Sequence, residues 1–112
     1  MAGFIGAGSP REVVFTKNAT EALNLVAKAW GRSHLKAGDA VVLTELEHHA
    51  NIVPWHQLVD EIGIELRWLP VRSDGHVDLT DLDRMVDGAK VVSFTAMSNV
   101  LGTLLPVQRL VD

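Results

Sequence analysis

The side chains best suited to chemistry lie in residues 45–51 (ELEHHAN), which carry two carboxylates and two imidazoles. Histidine suits proton transfer near neutral pH and stacking against a flat ring, so His48 and His49 are candidates for both tasks. The same two side chains are also typical of solvated or helix-capping residues. A metal site is a third interpretation, because His49 and His56 are seven residues apart and fall on one helical face near His48. The lack of HExxH spacing and of any thiolate argues against it.

A second polar segment, residues 17–21 (KNATE), places a small residue and a hydroxyl where a helix is predicted to begin. The free N–H groups at a helix start can bind a phosphate, and Thr20 would add its hydroxyl there. Threonine at such a position is, however, usually only the N-cap of its helix. No glycine-rich Walker or Rossmann fingerprint accompanies the segment. The residues alone therefore leave both interpretations open.

A third polar segment, residues 98–103 (SNVLGT), could aim the amide of Asn99 into the same cleft. Asparagine in a loop is more commonly a turn former. The tryptophans Trp30, Trp55 and Trp68 could wall a pocket, but large aromatic side chains in helices and strands usually belong to the core. We therefore assign the tryptophans a structural role.

The elements that must position these segments follow from the hydrophobic pattern. The predicted strands are residues 12–16, 40–44, 65–71 and 90–95. The predicted helices are residues 20–30, 49–62, 78–87 and a last one that opens at Pro106 and stops at Asp112. Strands that alternate with helices indicate an α/β fold with a mostly parallel sheet and flanking helices. Because ligands collect beyond the carboxyl ends of such strands, the segments after Thr16, Thr44 and Thr95 should share one edge of the sheet.

Composition limits the classes of protein that fit. A chain of 112 residues, 47% hydrophobic and 21% charged, suits one compact domain and is too apolar for a disordered tail. A net charge of −4 without a basic stripe argues against nucleic acid as a partner. No apolar run approaches the roughly 20 residues needed to cross a bilayer, so we expect no membrane insertion. The lack of cysteine excludes disulfides and a cysteine nucleophile in this chain and fits the reducing cytoplasm.

The three polar segments also resemble motifs of a known family. NATEALNLVA at 18–27, ELEHHANIVPW at 45–55 and SNVLGT at 98–103 resemble three successive motifs of the cysteine desulfurase and selenocysteine lyase family. These are class V, fold type I enzymes that depend on pyridoxal phosphate (PLP), and EHHANIVPW resembles their SufS-like branch most specifically. The resemblance implies that residues 1–112 form a single partial domain, the N-terminal part of the family's large PLP-binding domain.

The resemblance implies roles for particular residues. Ala19 and Thr20 match the positions where the family binds the PLP phosphate, through backbone amides and a hydroxyl. His48 matches the histidine that stacks against the pyridine ring and is the catalytic candidate, since it can assist proton movement at the substrate; His49 is a weaker candidate. Asn99 matches the asparagine beside the ring's phenolic oxygen and the bound substrate.

The family's reaction removes sulfur from L-cysteine, or selenium from selenocysteine, and leaves alanine and a persulfide on an enzyme cysteine. The resemblance therefore implies a homodimeric, cytoplasmic enzyme that supplies sulfur for iron–sulfur clusters, with a sulfur-acceptor protein as a possible partner. The family's aspartate facing the pyridine nitrogen, its Schiff-base lysine and its acceptor cysteine match nothing in this sequence. We expect that the 112 residues alone are inactive.

Two rival functions remain open at this point. One is a non-catalytic α/β module that serves dimerisation or partner binding. The other is a related class V activity, such as an epimerase or another lyase, because the phosphate and ring contacts are shared across the class. A partial sheet also exposes a strand edge and an apolar face, so we expect a tendency to self-associate.

Overall fold

The computed structural model describes residues 1–111, which form an α/β fold. The strands are β1 (Ala40–Thr44), β2 (Glu65–Leu69) and β3 (Ala89–Ser93). The α-helices are α1 (Ala19–Leu25), α2 (Arg32–His34), α3 (Val53–Ile62), α4 (Leu82–Val86) and α5 (Val107–Val111). Ala2–Phe4, Pro10–Glu12 and His49–Asn51 are 3₁₀ segments, and Val26–Gly31 is a π-helical segment that joins α1 to α2. Within the described chain no helix combines the length and the apolarity that a bilayer crossing requires.

The three strands form one parallel sheet in the order β2-β1-β3. The register pairs Ala40 with Glu65 and Thr44 with Leu69 on one side of β1. On the other side it pairs Leu43 with Ser93, with an irregularity next to Ala40. All five residues of the central strand are buried, as the uninterrupted apolar run predicts. The predicted parallel α/β sheet is therefore confirmed.

Side chains of the central strand alternate between two hydrophobic cores, one on each face of the sheet. Val41 and Leu43 belong to the first core and Val42 to the second. The first core joins the strand to the helices that precede and follow it, through Ala27, Leu35, Trp55, Leu58 and Ile64. The second core lies under the chain that follows β2, through Leu69, Val77, Leu79, Leu82, Leu105 and Leu110. The structural role assigned to Trp55 is confirmed, since that side chain is fully buried.

The predicted strand at residues 12–16 is wrong. Glu12 ends a 3₁₀ segment, and Val13 has extended dihedral angles (φ −107°, ψ 118°) without a strand partner among residues 1–111. Val14 and Phe15 are 69% and 77% exposed. β-branched and aromatic residues favour an extended backbone, but a strand also needs a neighbour for its hydrogen bonds. Among the described residues this segment adds no strand to the order β2-β1-β3.

Two predicted helices are interrupted or shortened in the structure. The helix predicted at 49–62 is divided at Ile52 into a 3₁₀ turn and α3, which ends at Gly63 in the left-handed conformation (φ 85°). The helix predicted at 78–87 contains only α4. Asp78 Oδ1 accepts hydrogen bonds from the backbone N–H (2.9 Å) and hydroxyl (2.6 Å) of Thr80, a turn that competes with helix.

The remaining boundaries differ by a few residues. The helix predicted at 20–30 starts one residue earlier and, through the π-helical segment, continues to His34. β2 stops at Leu69, because Pro70 cannot donate to the ladder. β3 ends before Thr95, whose N–H donates to a carboxylate instead of a neighbouring strand. The last helix is present as α5, and its predicted end at Asp112 lies outside the described residues.

Candidate functional site

A cleft of about 510 Å³ lies beyond the carboxyl ends of β1 and β3, at the start of α1. The four residues predicted to bind a cofactor, Ala19, Thr20, His48 and Asn99, all line it. The other lining residues are Asn18, Leu23, Glu47, Ala50, Asn51, Ser93, Phe94 and Thr95. The volume is within the range of about 300–1,000 Å³ that is typical of small-molecule sites. The chain therefore brings its three polar segments together at one edge of the sheet.

The start of α1 supplies hydrogen-bond donors that have no partner in the described part of the chain. Asn18, not Thr20, is the N-cap: its Oδ1 accepts the N–H of Glu21 at 2.9 Å. The interpretation of Thr20 as a helix cap is therefore wrong. Among residues 1–111 nothing accepts a hydrogen bond from the backbone N–H of Ala19, the backbone N–H of Thr20 or the Thr20 hydroxyl. These three donors are available to an anion at the positive end of the helix.

The His48 side chain both caps a turn and lines the cleft. Its Nδ1 accepts the N–H of Ala50 at 3.1 Å, so the capping interpretation is confirmed. Because Nδ1 is an acceptor, the neutral ring carries its proton on Nε2, an assignment made from this hydrogen bond. No other described residue bonds Nε2. His48 thus keeps a ring face and a polar atom free while its own orientation is fixed.

His49 lines a neighbouring cavity of about 320 Å³, which His48 and Asn99 also line. Its ring meets that of His48 edge-on, with centroids 6.2 Å apart and planes at 88°. His49 does not line the cleft that contains the four predicted cofactor-binding residues. Across the described part of the chain, no three metal-binding side chains converge, and His56 instead lies against Trp68 with ring centroids 6.3 Å apart.

Asn99 lies in the exposed loop after β3. The turn predicted for Asn99 is made by its buried neighbour Ser98, whose Oγ accepts the N–H groups of Val100 (3.3 Å) and Leu101 (3.2 Å). The Asn99 amide makes no hydrogen bond within residues 1–111. It is therefore free to bond a molecule in the cleft.

A polar network whose pairings the sequence did not predict lies beneath the cleft. The carboxylate of Glu47 accepts three hydrogen bonds, from the Thr44 hydroxyl (2.6 Å), the Thr95 N–H (2.9 Å) and the Asn51 amide (2.8 Å). Thr44 is the last residue of β1, and Thr95 follows β3, so one side chain joins the ends of two strands. The spacing of four residues between Glu47 and Asn51 could have predicted their contact. The contact between Glu47 and Thr95 joins residues 48 apart, and no sequence pattern predicts it.

Asn51 extends this network into the core. The side chain is only 6% exposed, and its Oδ1 accepts hydrogen bonds from the Ser93 hydroxyl (2.7 Å) and from the Trp55 Nε1–H (3.2 Å). Within the described residues no buried side-chain nitrogen or oxygen lacks a partner. A fully satisfied polar network is rigid. We call Glu47, Asn51, Thr44, Ser93, Trp55 and Thr95 the Glu47–Asn51 network.

Comparison with known proteins identifies the family of the chain. Residues 1–112 match the family model of the aminotransferases of class V, so the chain belongs to the aminotransferase class-V family. The relatives that it resembles are cysteine desulfurases. It is 49% identical over 111 residues to the cysteine desulfurase of Serratia proteamaculans, covering 98% of this chain and 27% of the relative. Against the cysteine desulfurase of Synechococcus elongatus it is 51% identical over 110 residues, covering 97% of this chain and 18% of the relative.

Solved structures agree with the sequence relatives. The apo structure of the cysteine desulfurase from Thermococcus onnurineus superposes with a TM-score of 0.90 at 41% identity, over 97% of this chain and 27% of that one. The cysteine desulfurase CsdA from Escherichia coli gives a TM-score of 0.89 at 29% identity, over 98% of this chain and 28% of that one. The resemblance inferred from the three motifs is confirmed for family and fold. The chain spans 27% or less of the length of these two sequence relatives.

Proposed function

We propose that the chain is part of a PLP-dependent cysteine desulfurase, and that residues 1–112 belong to its PLP-binding large domain. The observation that carries the proposal is the convergence of unpartnered donors of α1, the His48 ring and the Asn99 amide on one cleft of about 510 Å³. The cysteine desulfurases to which the chain is 49% and 51% identical support the choice of activity.

The residues of the cleft fit the chemistry of the cofactor. A phosphate needs several donors and no competing anion, and the start of α1 offers two backbone N–H groups and a hydroxyl. The one carboxylate among the lining residues is that of Glu47, whose oxygens already accept three hydrogen bonds. A flat aromatic ring can stack on His48, and the Asn99 amide can donate to a ring oxygen. The cleft is therefore compatible with PLP in its hydrogen-bond donors, in the flat His48 ring and in its volume.

The chain's own residues would bind, orient and protonate. Ala19 and Thr20 would hold the phosphate, and His48 would orient the ring and hold a proton at Nε2. Asn99 would donate a hydrogen bond from its free amide to a ring oxygen. When bound, PLP supplies the electron sink for the substrate. The net reaction is balanced: L-cysteine and an enzyme thiol give L-alanine and an enzyme persulfide, so one sulfur atom changes carrier without an external oxidant.

The 112 residues lack parts that this reaction needs. The sequence has no cysteine, so it holds no thiol to accept sulfur. None of its four lysines, Lys17, Lys28, Lys36 and Lys90, lines the cleft. The 112 residues by themselves are therefore expected to have no desulfurase activity. Selenocysteine as a substrate, a homodimer, a sulfur-acceptor protein, iron–sulfur cluster assembly and a cytoplasmic location are further parts of this proposal.

A second candidate is a non-catalytic module for dimerisation or partner binding. The observation in its favour is the exposure of large apolar side chains near the start of the chain, with Phe4 90%, Val14 69% and Phe15 77% exposed. Retained self-association together with failure to bind PLP would support this candidate over the enzyme.

The proposal is tested by replacing the matching segment of the Serratia proteamaculans cysteine desulfurase with residues 1–112 and measuring alanine release from L-cysteine. We expect activity within about tenfold of that enzyme, and a loss of at least about tenfold on Thr20→Val, which removes one donor to a charged group. Thr80→Val is the matched control, since Thr80 does not line the cleft. A folded chimera that releases no alanine would overturn the proposal.

A further inference from the structure

We propose that Glu47 is a positioning residue that fixes both polar walls of the cleft, the one bearing His48 and the one bearing Asn99. The inference deepens the proposed function and rests on it for the identity of the bound molecule. The geometry on which it stands belongs to the protein alone.

The position of Glu47 at a junction of strands is the first step. The Oε1 atom accepts the hydroxyl of Thr44 and the backbone N–H of Thr95, at 2.6 and 2.9 Å. Thr44 is fully buried at the end of β1. The chain leaves the sheet after β1 and after β3, and the segments at both points donate a hydrogen bond to the same oxygen of Glu47. Hydrogen bonds to a charged acceptor are short and strong, so this tie resists displacement.

The wall bearing His48 is fixed by the second oxygen. Glu47 Oε2 accepts the Asn51 amide at 2.8 Å, and the Asn51 N–H donates to the His48 carbonyl at 2.8 Å. His48 therefore lies inside a short turn that is closed by one side-chain bond and one backbone bond. Its Nδ1 bond to Ala50 lies within the same turn. The orientation of the imidazole thus depends on the bond between Glu47 and Asn51.

The wall bearing Asn99 begins at Thr95. Its N–H is held by Glu47, and its hydroxyl donates to the carbonyl of Met97 at 2.7 Å, which turns the chain into the loop. The loop is closed by the Ser98 N–H, which donates to the Thr103 carbonyl at 2.9 Å. Glu47 is therefore the side chain that anchors the first residue of this loop to the opposite wall.

The same contacts argue against proton transfer by Glu47. Its two oxygens accept three hydrogen bonds, and all three donors are protein groups. A carboxylate engaged in this way orients its neighbours. Its effect on a bound molecule passes through His48 and Asn99.

The test uses an isosteric variant and its complement. Glu47→Gln puts an amide nitrogen opposite the amide nitrogen of Asn51, so two donors face each other. Adding Asn51→Asp restores a donor opposite an acceptor, and the new carboxylate can still accept from Ser93 and Trp55. Glu65→Gln is the matched control, because it removes the same charge from an exposed position at the other end of the sheet. Asn51→Asp alone serves if E47Q does not fold, because it keeps the acceptor for Ser93 and Trp55 and removes the amide that donates to Glu47.

Two readouts separate positioning from stability. The first is the ring ¹⁵N spectrum of His48 at alkaline pH, with the side-chain amide signals of Asn99. We expect the Nε2-protonated form in the wild type and in E47Q/N51D, and altered His48 and Asn99 signals in folded E47Q. The second is PLP affinity, which we expect to fall roughly tenfold in E47Q, to return to within about threefold in the double variant, and to be unchanged in E65Q.

Each outcome of these measurements either supports or overturns the inference. If folded E47Q, or its substitute Asn51→Asp, keeps the wild-type His48 and Asn99 signals and shows only a lower melting temperature, the network is purely structural and the inference is overturned. If the wild type does not bind PLP but E47Q moves both sets of signals, positioning stands and the proposed function fails. Failure of E47Q/N51D to restore the signals would contradict the specific role of the Glu47–Asn51 bond.

Discussion

The Ser93 hydroxyl donates a hydrogen bond of 2.7 Å to Asn51 Oδ1, although 42 residues separate the two in the chain. Ser93 is the last residue of β3, and Asn51 is the last of the 3₁₀ turn before α3. The bond therefore fixes the segment that contains His48 to a neighbouring strand of the sheet.

Ser93→Ala should lower the free energy of unfolding by about 1 kcal/mol, because Asn51 loses one donor in a partly buried network. Urea unfolding followed by circular dichroism measures the change. Ser33→Ala is the control: the Ser33 hydroxyl is exposed and bonds the Ala29 carbonyl within its own helix. Equal losses of unfolding free energy for the two substitutions would show that the Asn51–Ser93 bond contributes no more to stability than the exposed Ser33 bond.

Asn18→Ala should cost about 1 kcal/mol of stability, because Asn18 caps α1. Thr20→Val should have little effect on stability, since its hydroxyl has no acceptor among the described residues. Chemical denaturation of both variants makes the comparison. A larger loss for T20V than for N18A would reverse the assignment of the cap and weaken the case for a free hydroxyl in the cleft.

Gly31→Ala should destabilise the chain although alanine is the better helix former. A Cβ at Gly31 would lie 2.8 Å from Leu58 Cδ1, and Leu58 is 1% exposed in the first core. Overpacking costs about 1–3 kcal/mol, against a propensity gain of about 1 kcal/mol. Gly3→Ala is the control, with nothing within 4 Å of its Cβ. In a Leu58→Val background the sign should reverse, and thermal melts that show no reversal would refute the steric account.

Thr80→Val should raise the pKa of Asp78. The Thr80 hydroxyl and then its backbone N–H bond the Asp78 carboxylate and hold its pKa below the ordinary value. A carboxyl whose pKa is depressed in the folded state contributes stability above its unfolded pKa of about 3.9, and this is lost as the pH falls through the folded pKa. In T80V the loss of stability that Asp78 contributes on acidification should therefore be smaller and be complete at a higher pH, while its onset near the unfolded pKa is unchanged. An NMR titration of the Asp78 carboxyl carbon measures the shift, and an unchanged midpoint would contradict it.

The sequence predicted those features of the fold that depend on local patterns of residues. The apolar run of β1 and the helical spacing after it were sufficient for a parallel α/β sheet, and the rule for ligands at carboxyl strand ends placed Thr20, His48 and Asn99 at one edge. The pattern of β-branched residues also predicted a strand that includes Phe15, which has no strand partner among residues 1–111. Strand pairing is a property of two segments, and one segment alone does not determine it.

The Glu47–Asn51 network escaped prediction for the same reason. Its bonds from Thr95 to Glu47 and from Ser93 to Asn51 join residues 48 and 42 apart. Local spacing gives no signal for such contacts. Residue type gave part of the answer: Asn18 and Thr20 are both typical caps, and only the coordinates distinguish the one that caps from the one that is free.

The most direct test of the central claim is to titrate the ¹⁵N-labelled chain with PLP and follow its amide signals. The account predicts binding with shifts concentrated at Ala19, Thr20, His48 and Asn99, weaker in T20V and unchanged in T80V. Arg72 and Arg109 line a separate cavity of about 290 Å³ and offer cations to any phosphate. Shifts centred on those arginines, or no binding by the folded chain, would contradict the account.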